Sequence, residues 1–293
     1  MKNNAKALFL NGFWLKIIAI VSMTLDHLAY ALELNAYCDP IFYNVCRNIG
    51  RLALPLFCFM IVEGAIHTKN FKKYILSLAS VATLVLVAQV VMDYGMGMRL
   101  EQGNIFFDLI LGALAVKCLM IKKWWVKLLA FLPLAYGVVS FVFYSFQQAG
   151  FPIAEYFPYY IRSQYHWYSI LMMILFYLSY ILVKWLFNST SSSTNLDYDS
   201  VKDGTLYRFV VNSLCALVVV GVTILLYVLS FYLEKKFIFW AAGMQNYALI
   251  SGALLLLYNG KRGYNSKWFK YGCYIYYPLH IVIVYGIALL LSL

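Results

Sequence analysis

Asp26 and His27 are adjacent ionisable residues inside the first long apolar stretch of the chain. Such groups are costly within a membrane, so they are expected to face a cavity or a bundle interior and to serve function. Histidine can take and return a proton near neutral pH, and a nearby carboxylate can set its tautomer. Lys16 precedes His27 on nearly the same helical face, about 16 Å away. The alternative is a polar pair that only joins helices by hydrogen bonds.

A second group of charges opens the next apolar stretch. Arg47 and Arg51 are four residues apart and therefore share one helical face, where they could bind a carboxylate, a phosphate or an oxyanion. Arg47 lies near the boundary and could instead extend to the outer interface, so Arg51 is the stronger candidate. Pro55 is expected to kink this helix. Glu63 lies at the end of this stretch, and its partner could be either structural or catalytic.

Three further sites carry polar groups into or beside apolar stretches. Asn104 and Asp108 repeat the four-residue spacing and are expected either to cap a helix or to face the arginines. His280 falls in the middle of the last apolar stretch, where an imidazole needs a partner or a cavity. Two glycines flank Lys261 and Arg262, a composition suited to phosphates, although ordinary positive charge beside a membrane span would also produce it.

The composition is typical of a membrane protein. Of 293 residues, 63% are hydrophobic and 12% charged, and the mean hydropathy is +0.75, whereas soluble domains carry roughly 25% charged residues. We predict an all-α, polytopic helical bundle that forms one domain over residues 1–293, with a flexible cytoplasmic loop at 188–204. The nine predicted transmembrane helices cover residues 14–34, 47–66, 71–92, 104–120, 124–146, 167–187, 207–231, 237–258 and 271–291.

Lysine and arginine are concentrated in alternate loops between the predicted spans. This positive-inside pattern favours a cytoplasmic N-terminus and an external C-terminus. The net charge of +11 therefore reports topology, and nucleic acid is not an expected partner. Cys38 and Cys46 share one predicted external loop and could form a disulfide, and the cysteines lack the spacing of a metal site.

An ordered set of short motifs resembles the TraX family. The motifs are Leu15-Lys16-Ile17-Ile18-Ala19 leading to Asp26-His27, the block 47–57, Glu63-Gly64, Asn104-Ile105-Phe106-Phe107, residues 259–263 and Tyr277-Pro278-Leu279-His280. The resemblance covers nearly the whole chain. It implies an association with N-terminal acetylation of conjugative pilin. It also implies a similarity to wider membrane acyltransferases, including acyltransferase family three and the lysosomal glucosaminide acetyltransferase.

The wider similarity implies that acyl-CoA is used from the cytoplasm, that the acceptor lies on the other side, and that an early helix holds an essential histidine. In acyltransferase family three an arginine precedes that histidine at the spacing that Lys16 has to His27. Lysine keeps the charge but lacks the bidentate fork of arginine. The arginine pair of that family is Arg-x-x-Arg, whereas Arg47 and Arg51 have one more residue between them.

We predict a membrane-bound acyltransferase in a bacterial plasma membrane, with acetyl as the favoured group. It would move the acyl group from cytoplasmic acyl-CoA to a hydroxyl or amine of an extracytoplasmic sugar, lipid or peptide. His27 would be the general base or a transient acyl carrier, and Asp26 would support its charge. Arg51 would stabilise the oxyanion or orient the acceptor.

Other residues are assigned to binding and support. Lys16, Lys261 and Arg262 would hold the phosphates of coenzyme A, and no metal is expected. The supporting positions are Arg47, Glu63, Asn104, Asp108 and His280.

A proton-coupled transporter or flippase is the alternative function, with Asp26, His27 and Arg51 as the relay. Inverted repeats would favour it, and the sequence has no convincing pair of matching halves. A purely structural membrane protein is the third hypothesis. Binding of acetyl-CoA to the purified protein would separate these classes.

Overall fold

The computed structural model describes residues 8–33, 39–96, 103–194, 201–202, 204–233 and 245–292, and within these ranges the chain is helical and has no strands. Isolated turns of 3₁₀-helix lie at Pro152–Tyr156, Tyr159–Ile161 and Asn246–Ala248. The α-helices are α1 Gly12–Glu33, α2 Pro40–Gly50, α3 Ala53–His67, α4 Phe71–Met96, α5 Ile105–Met120, α6 Trp124–Leu128, α7 Phe131–Gln148, α8 His166–Thr194, α9 Thr205–Leu233, α10 Leu249–Leu256 and α11 Lys267–Ser292.

Six segments of the described chain are long and apolar enough to cross a membrane. They are Gly12–Leu32, Pro40–His67, Phe71–Gly95, Trp124–Gln148, Tyr159–Thr190 and Thr205–Tyr232. Three of the nine predicted spans are not among them. Helix α5 has 16 residues, about 24 Å against a hydrocarbon core of about 30 Å. Residues 237–244 of the predicted eighth span lie outside the described residues, and so do the side chains of residues 288, 289, 291 and 292 at the end of α11.

The predicted second span is two helices that meet at Arg51 and Leu52. Pro55 has no backbone N–H to donate to the carbonyl of Arg51, and its ring crowds that carbonyl. The helix therefore breaks one turn before the proline. Helix α2 also begins earlier than predicted, because the Asp39 side chain caps it by accepting from the backbone N–H groups of Ile41 and Phe42. The break places Arg51 inside the bundle, where its side chain is buried.

Helices α1 and α11 pack against each other and run in the same direction. Lys16 lies over the ring of Phe269, and the Thr24 hydroxyl is 2.7 Å from the Tyr276 hydroxyl. One turn further along, His27 contacts His280. The contacting residue numbers rise together along both helices, so α1 and α11 are parallel and keep one register over this length. Helix α1 also packs against α2 and α3, and α11 packs against α4.

Helix α8 continues beyond the predicted end of the sixth span, through residue 194. The first part of the predicted polar loop at 188–204 is therefore helical, with the Thr190 hydroxyl bonded to the carbonyl of Leu186. Residues 195–200 and 203 of that loop lie outside the described residues. The same holds for Cys38, so its disulfide with Cys46 stays a prediction, and for the C-terminal Leu293.

Candidate active site

A cavity of about 480 Å³ runs alongside α1, from Gly12 near the start of the helix to Asp26 and His27 near its end. Helices α3 and α11 form much of its other walls, and residues of α4, α5 and two loops complete them. Fourteen residues of helix separate Gly12 from Asp26, a length of about 21 Å. A binding site of this size suits an elongated ligand of several hundred daltons. The cavity thus joins the two ends of the predicted site in one continuous space.

The cations of the cavity are grouped at the end near the start of α1. Lys16 lies 5.5 Å from the centre of the Phe269 ring. Arg262 and Lys270 also line this part of the wall. Lys261, which the sequence assigns to the same phosphate site as Arg262, is not among the residues that line the cavity. The structure therefore separates two neighbours that the sequence treats as a pair.

The Gly-flanked loop at 259–263 is held against the segment that precedes α1. Gly12 donates its backbone N–H to the carbonyl of Lys261 over 2.8 Å, and Asn259 donates to the carbonyl of Leu10 over 2.8 Å. Gly260 and Gly263 have φ values of 75° and 70°, a backbone conformation that residues with a side chain rarely adopt. These bonds and turns direct Arg262 toward the cavity.

His27 meets His280 at the opposite end of the cavity. The Nδ1 atom of His27 lies 2.8 Å from Nε2 of His280, and the two rings are nearly parallel, with 4° between their planes. The other nitrogen of His280, Nδ1, lies 3.0 Å from the backbone carbonyl oxygen of Tyr276. The sequence assigns His280 only a supporting role in mid-span. In the structure its partner is the predicted catalytic histidine.

Asp26 is bound by Arg47 of α2 and by Arg51 at the junction of α2 and α3. Its Oδ1 atom is 2.9 Å from Nη1 of Arg47, and Nη2 of Arg51 donates to the same oxygen. The Nε atom of Arg51 donates to the backbone carbonyl of Arg47 over 3.1 Å. The role of Asp26 as the support of the His27 charge stays a prediction, and in the structure the two side chains have other hydrogen-bond partners. The Asp26 carboxylate is engaged by the arginines, and the Nδ1 atom of His27 is bound by another histidine.

This ion-pair cluster requires α1 and α2 to approach closely. A methyl group at Gly50 would overlap the Asp26 side chain, so only glycine fits there without a shift. Asp26 lines the main cavity, whereas Arg47 and Arg51 lie behind it and are not among the residues that line the wall. Arg51 is thus placed to hold Asp26 rather than to reach a substrate in the cavity.

Glu63 belongs to a second, partly buried cluster, at the cation end of the cavity. Its carboxylate accepts from Nη1 of Arg208 over 2.8 Å, from the Tyr258 hydroxyl over 3.3 Å and from the Tyr180 hydroxyl. The Arg208 guanidinium also lies 5.4 Å from the centre of the Tyr258 ring. The sequence offers both a structural and a catalytic partner for Glu63. The partners in the structure come from α8, α9 and the segment after α10, so the cluster joins helices.

Arg208 is a residue that the motifs did not select. Its position four residues into a long apolar helix was the available signal, since a charge there needs a partner. Gly260 lies against the Arg208 guanidinium, closely enough that an added methyl group would clash with it. Arg208 thereby connects Glu63 to the Gly-flanked loop.

Asn104 and Asp108 organise the loops at the other end of the bundle. Asn104 caps α5 by accepting from the backbone N–H of Phe106, and it donates to the carbonyl of Ala82. Asp108 is fully buried and does not face the arginines. It accepts from the Ser163 and Ser169 hydroxyls and from the backbone N–H groups of residues 164 and 165. Two neighbouring residues of that loop, Gln164 and Tyr165, line the main cavity.

A small second cavity lies on the far side of His27. Its volume is about 40 Å³, and its walls include Val85, Met92 and Ile281. His27 lines both spaces. The imidazole therefore stands between a large cavity with cations and a small apolar one. In the described part of the chain no three His, Cys, Asp or Glu side chains are grouped as a metal site requires.

Comparison with known proteins identifies the family. The family model described as TraX protein matches residues 12–227, a range that includes Asp26, His27 and Arg51 and ends before Arg262 and His280. The chain is also 34% identical, over 119 residues, to the probable fimbrial assembly protein FimC, serogroup H1, of Dichelobacter nodosus. That match covers 38% of this chain and 46% of the relative, so it spans less than half of the relative's length. No solved structure matches the chain. With about three quarters of its length matched by the family model, this helical membrane protein belongs to the TraX family.

Proposed function

We propose that this chain is a membrane-bound acyltransferase that takes an acetyl group from acetyl-CoA. The observation that carries the proposal is the single cavity that connects Lys16 and Arg262 with His27. Phosphates bind well to such cations, and an imidazole about 16 Å further along the helix is within reach of the thioester end of an extended donor. The same arrangement has no evident use in a protein that only stabilises a membrane assembly.

The reaction is an attack on the thioester carbonyl. An amine or hydroxyl of the acceptor forms the new C–N or C–O bond, and the C–S bond of the donor breaks. His27 takes the proton that the acceptor loses and returns it to the departing thiolate, so free coenzyme A and the acylated acceptor are the products. Asp26 and the arginines behind it hold the end of α1 that presents His27.

The acceptor is proposed to be a subunit of a surface filament. The relative from D. nodosus is described as a probable fimbrial assembly protein, and the family is associated with pilin acetylation. A polypeptide is therefore favoured over a glycan or lipid. The small apolar space beyond His27 would admit the reactive end of that acceptor, while the large cavity holds the donor.

The proposal is tested by incubating the purified protein in detergent with radiolabelled acetyl-CoA and a synthetic peptide that has a free N-terminal amine. Label is expected on this peptide and not on the same peptide with a blocked amine. Acetyl-CoA binding without any transfer to a free peptide, hydroxyl or filament subunit would contradict the proposal. Proton-coupled uptake by reconstituted vesicles in that case would favour the transporter or flippase.

We also propose nine membrane crossings, with the N-terminus and the loops near Lys122 and Lys267 in the cytoplasm of a bacterial cell. The distribution of lysine and arginine supports this orientation. A cysteine placed beside Lys122 is expected to resist a membrane-impermeant thiol reagent in intact cells, while one added after Leu293 reacts. Permeabilised cells, in which both positions should react, provide the control. The opposite labelling pattern would reverse the orientation.

A prediction about donor binding follows from the difference between two adjacent cations. Arg262→Ala is expected to weaken acetyl-CoA binding about tenfold, because one charge-assisted contact is lost. Lys261→Ala removes the same charge from a side chain that does not line the cavity, and it should change the affinity little. Calorimetric titration of acetyl-CoA into each variant measures both effects.

Salt provides a second readout of the same contact. The difference between the parent and Arg262→Ala should shrink as salt is added, because Arg262 is exposed to solvent. Equal weakening by the two alanine variants would mean that the loop acts through general positive charge beside the membrane and makes no specific contact.

A further inference from the structure

The hydrogen bonds of His280 decide where the proton of His27 lies. A backbone carbonyl can only accept, so the Nδ1 atom of His280, 3.0 Å from the Tyr276 oxygen, must carry a hydrogen. A neutral imidazole has one N–H, and Nε2 of His280 is therefore an acceptor. The partner of Nε2 at 2.8 Å is Nδ1 of His27, which must then be the donor. The remaining nitrogen of His27, Nε2, holds a lone pair.

We propose that His280 is a positioning residue that selects the Nδ1–H tautomer of His27 and thereby makes Nε2 its basic atom. This inference rests on the proposed function only for the use that is made of that atom. It assigns to a histidine the orienting task that a carboxylate performs in many acid–base sites. The carboxylate adjacent in sequence, Asp26, is engaged by Arg47 and Arg51.

The residues around His280 fix the orientation of its ring as well as its tautomer. The Tyr276 ring lies parallel to it, with 7° between the planes and 5.2 Å between the centres. Tyr277 packs edge-on at 5.3 Å. The Tyr276 hydroxyl in turn is 2.7 Å from the Thr24 hydroxyl on α1. The carbonyl and the ring of Tyr276 therefore orient His280, and the Tyr276 hydroxyl ties α11 to the helix that carries His27.

The same contacts make His280 a positioning residue and prevent it from acting as a proton relay. A relay would require the Nδ1 hydrogen of His280 to pass to an acceptor that can be protonated, and the Tyr276 peptide carbonyl is not such a group. A proton taken up by His27 thus stays within the histidine pair until the leaving thiolate collects it. This retention is useful for acyl transfer and unsuited to a proton-conducting path.

The first test observes the tautomers and needs no activity. The protein has four histidines, so ¹⁵N-histidine labelling and single replacements assign every imidazole signal in detergent. Both His27 and His280 are expected to show a protonated Nδ1 and an unprotonated Nε2 at a pH where the rings are neutral. A protonated Nε2 on His27 would overturn the inference.

The second test compares two replacements of His280. The amide oxygen of His280→Gln can take the place of Nε2 and accept from His27, whereas His280→Leu fills space without an acceptor. Loss of the correct tautomer is expected to lower the transfer rate of His280→Leu by roughly 10²–10⁴-fold. His280→Gln should recover most of that loss, and the ¹⁵N spectrum of His27 should keep the Nδ1–H form only in His280→Gln.

Acetyl-CoA affinity controls for damage to the cavity and should be similar in both variants. Transfer by His280→Leu at the parental rate, or equal loss in His280→Gln and His280→Leu, would overturn the inference. If the parent transferred no acetyl group but its His27 carried the predicted tautomer, the proposed function would fail and the role of His280 toward His27 would stand.

Discussion

Replacement of His27 by alanine is expected to lower acetyl transfer by roughly 10²–10⁴-fold, the usual contribution of a positioned general base. The donor should still bind, because the cations proposed to hold its phosphates lie at the other end of the cavity. The loss should therefore appear in kcat with little change in the dissociation constant of acetyl-CoA. Transfer to a peptide and calorimetric titration of the donor measure the two quantities separately.

His67→Ala is the matched control for this prediction. His67 also lines the cavity, but it is exposed and sits one turn from Glu63, away from His27. Its removal should leave kcat close to that of the parent. Parental turnover in His27→Ala would exclude His27 as the base. If labelled acetyl remained on the parental protein and was absent from His27→Ala, His27 would be the acyl carrier.

Replacement of Asp26 by alanine is expected to destabilise the fold by about 3–5 kcal/mol, the usual effect of removing one partner from a buried ion pair. Asp26 and Arg51 are 8% and 3% exposed, so water does not compensate for the lost carboxylate. Arg47 and Arg51 would be left as neighbouring positive charges at the junction of α1 and α2. Denaturation in detergent, followed through the loss of helical signal, measures the change in the free energy of unfolding.

Two further variants separate charge from packing at this junction. Asp39→Ala removes a carboxylate that only caps α2, and it should cost about 1 kcal/mol. Asp26→Leu combined with Arg51→Leu removes both charges of one pair and should be more stable than Asp26→Ala. A cost for Asp26→Ala no greater than that for Asp39→Ala would mean that the ion pairs add little to stability.

The composition of the chain determined its class, that of a helical membrane protein. Long runs without Asp, Glu, Lys or Arg leave few conformations in which backbone groups are satisfied in lipid, and the helix is the one that a single segment can form. The six apolar segments in the described chain agree with this reading, although their number is smaller than predicted. The count of nine stays a proposal, because α5 has only 16 residues and part of the predicted eighth span lies outside the described residues.

Local chemistry along the chain determined some features of the site. The cap at Asn104 and the break near Pro55 depend only on neighbouring residues, and both follow from their types. The selection of His27, Asp26 and Arg51 as buried polar groups also needed no partner to be known. An ionisable residue within an apolar stretch is exceptional wherever the rest of the chain lies.

Only the tertiary structure decided which of these groups meet. Asp26 and Arg51 are 25 positions apart, Glu63 and Arg208 are 145, and His27 and His280 are 253. Each contact depends on the rotation of two helices about their axes and on their register along the bundle. Neither quantity is a property of one helix, because packing between helices sets both. The sequence therefore determined that His27 needs a partner, and the packing of α11 against α1 determined that the partner is a second imidazole.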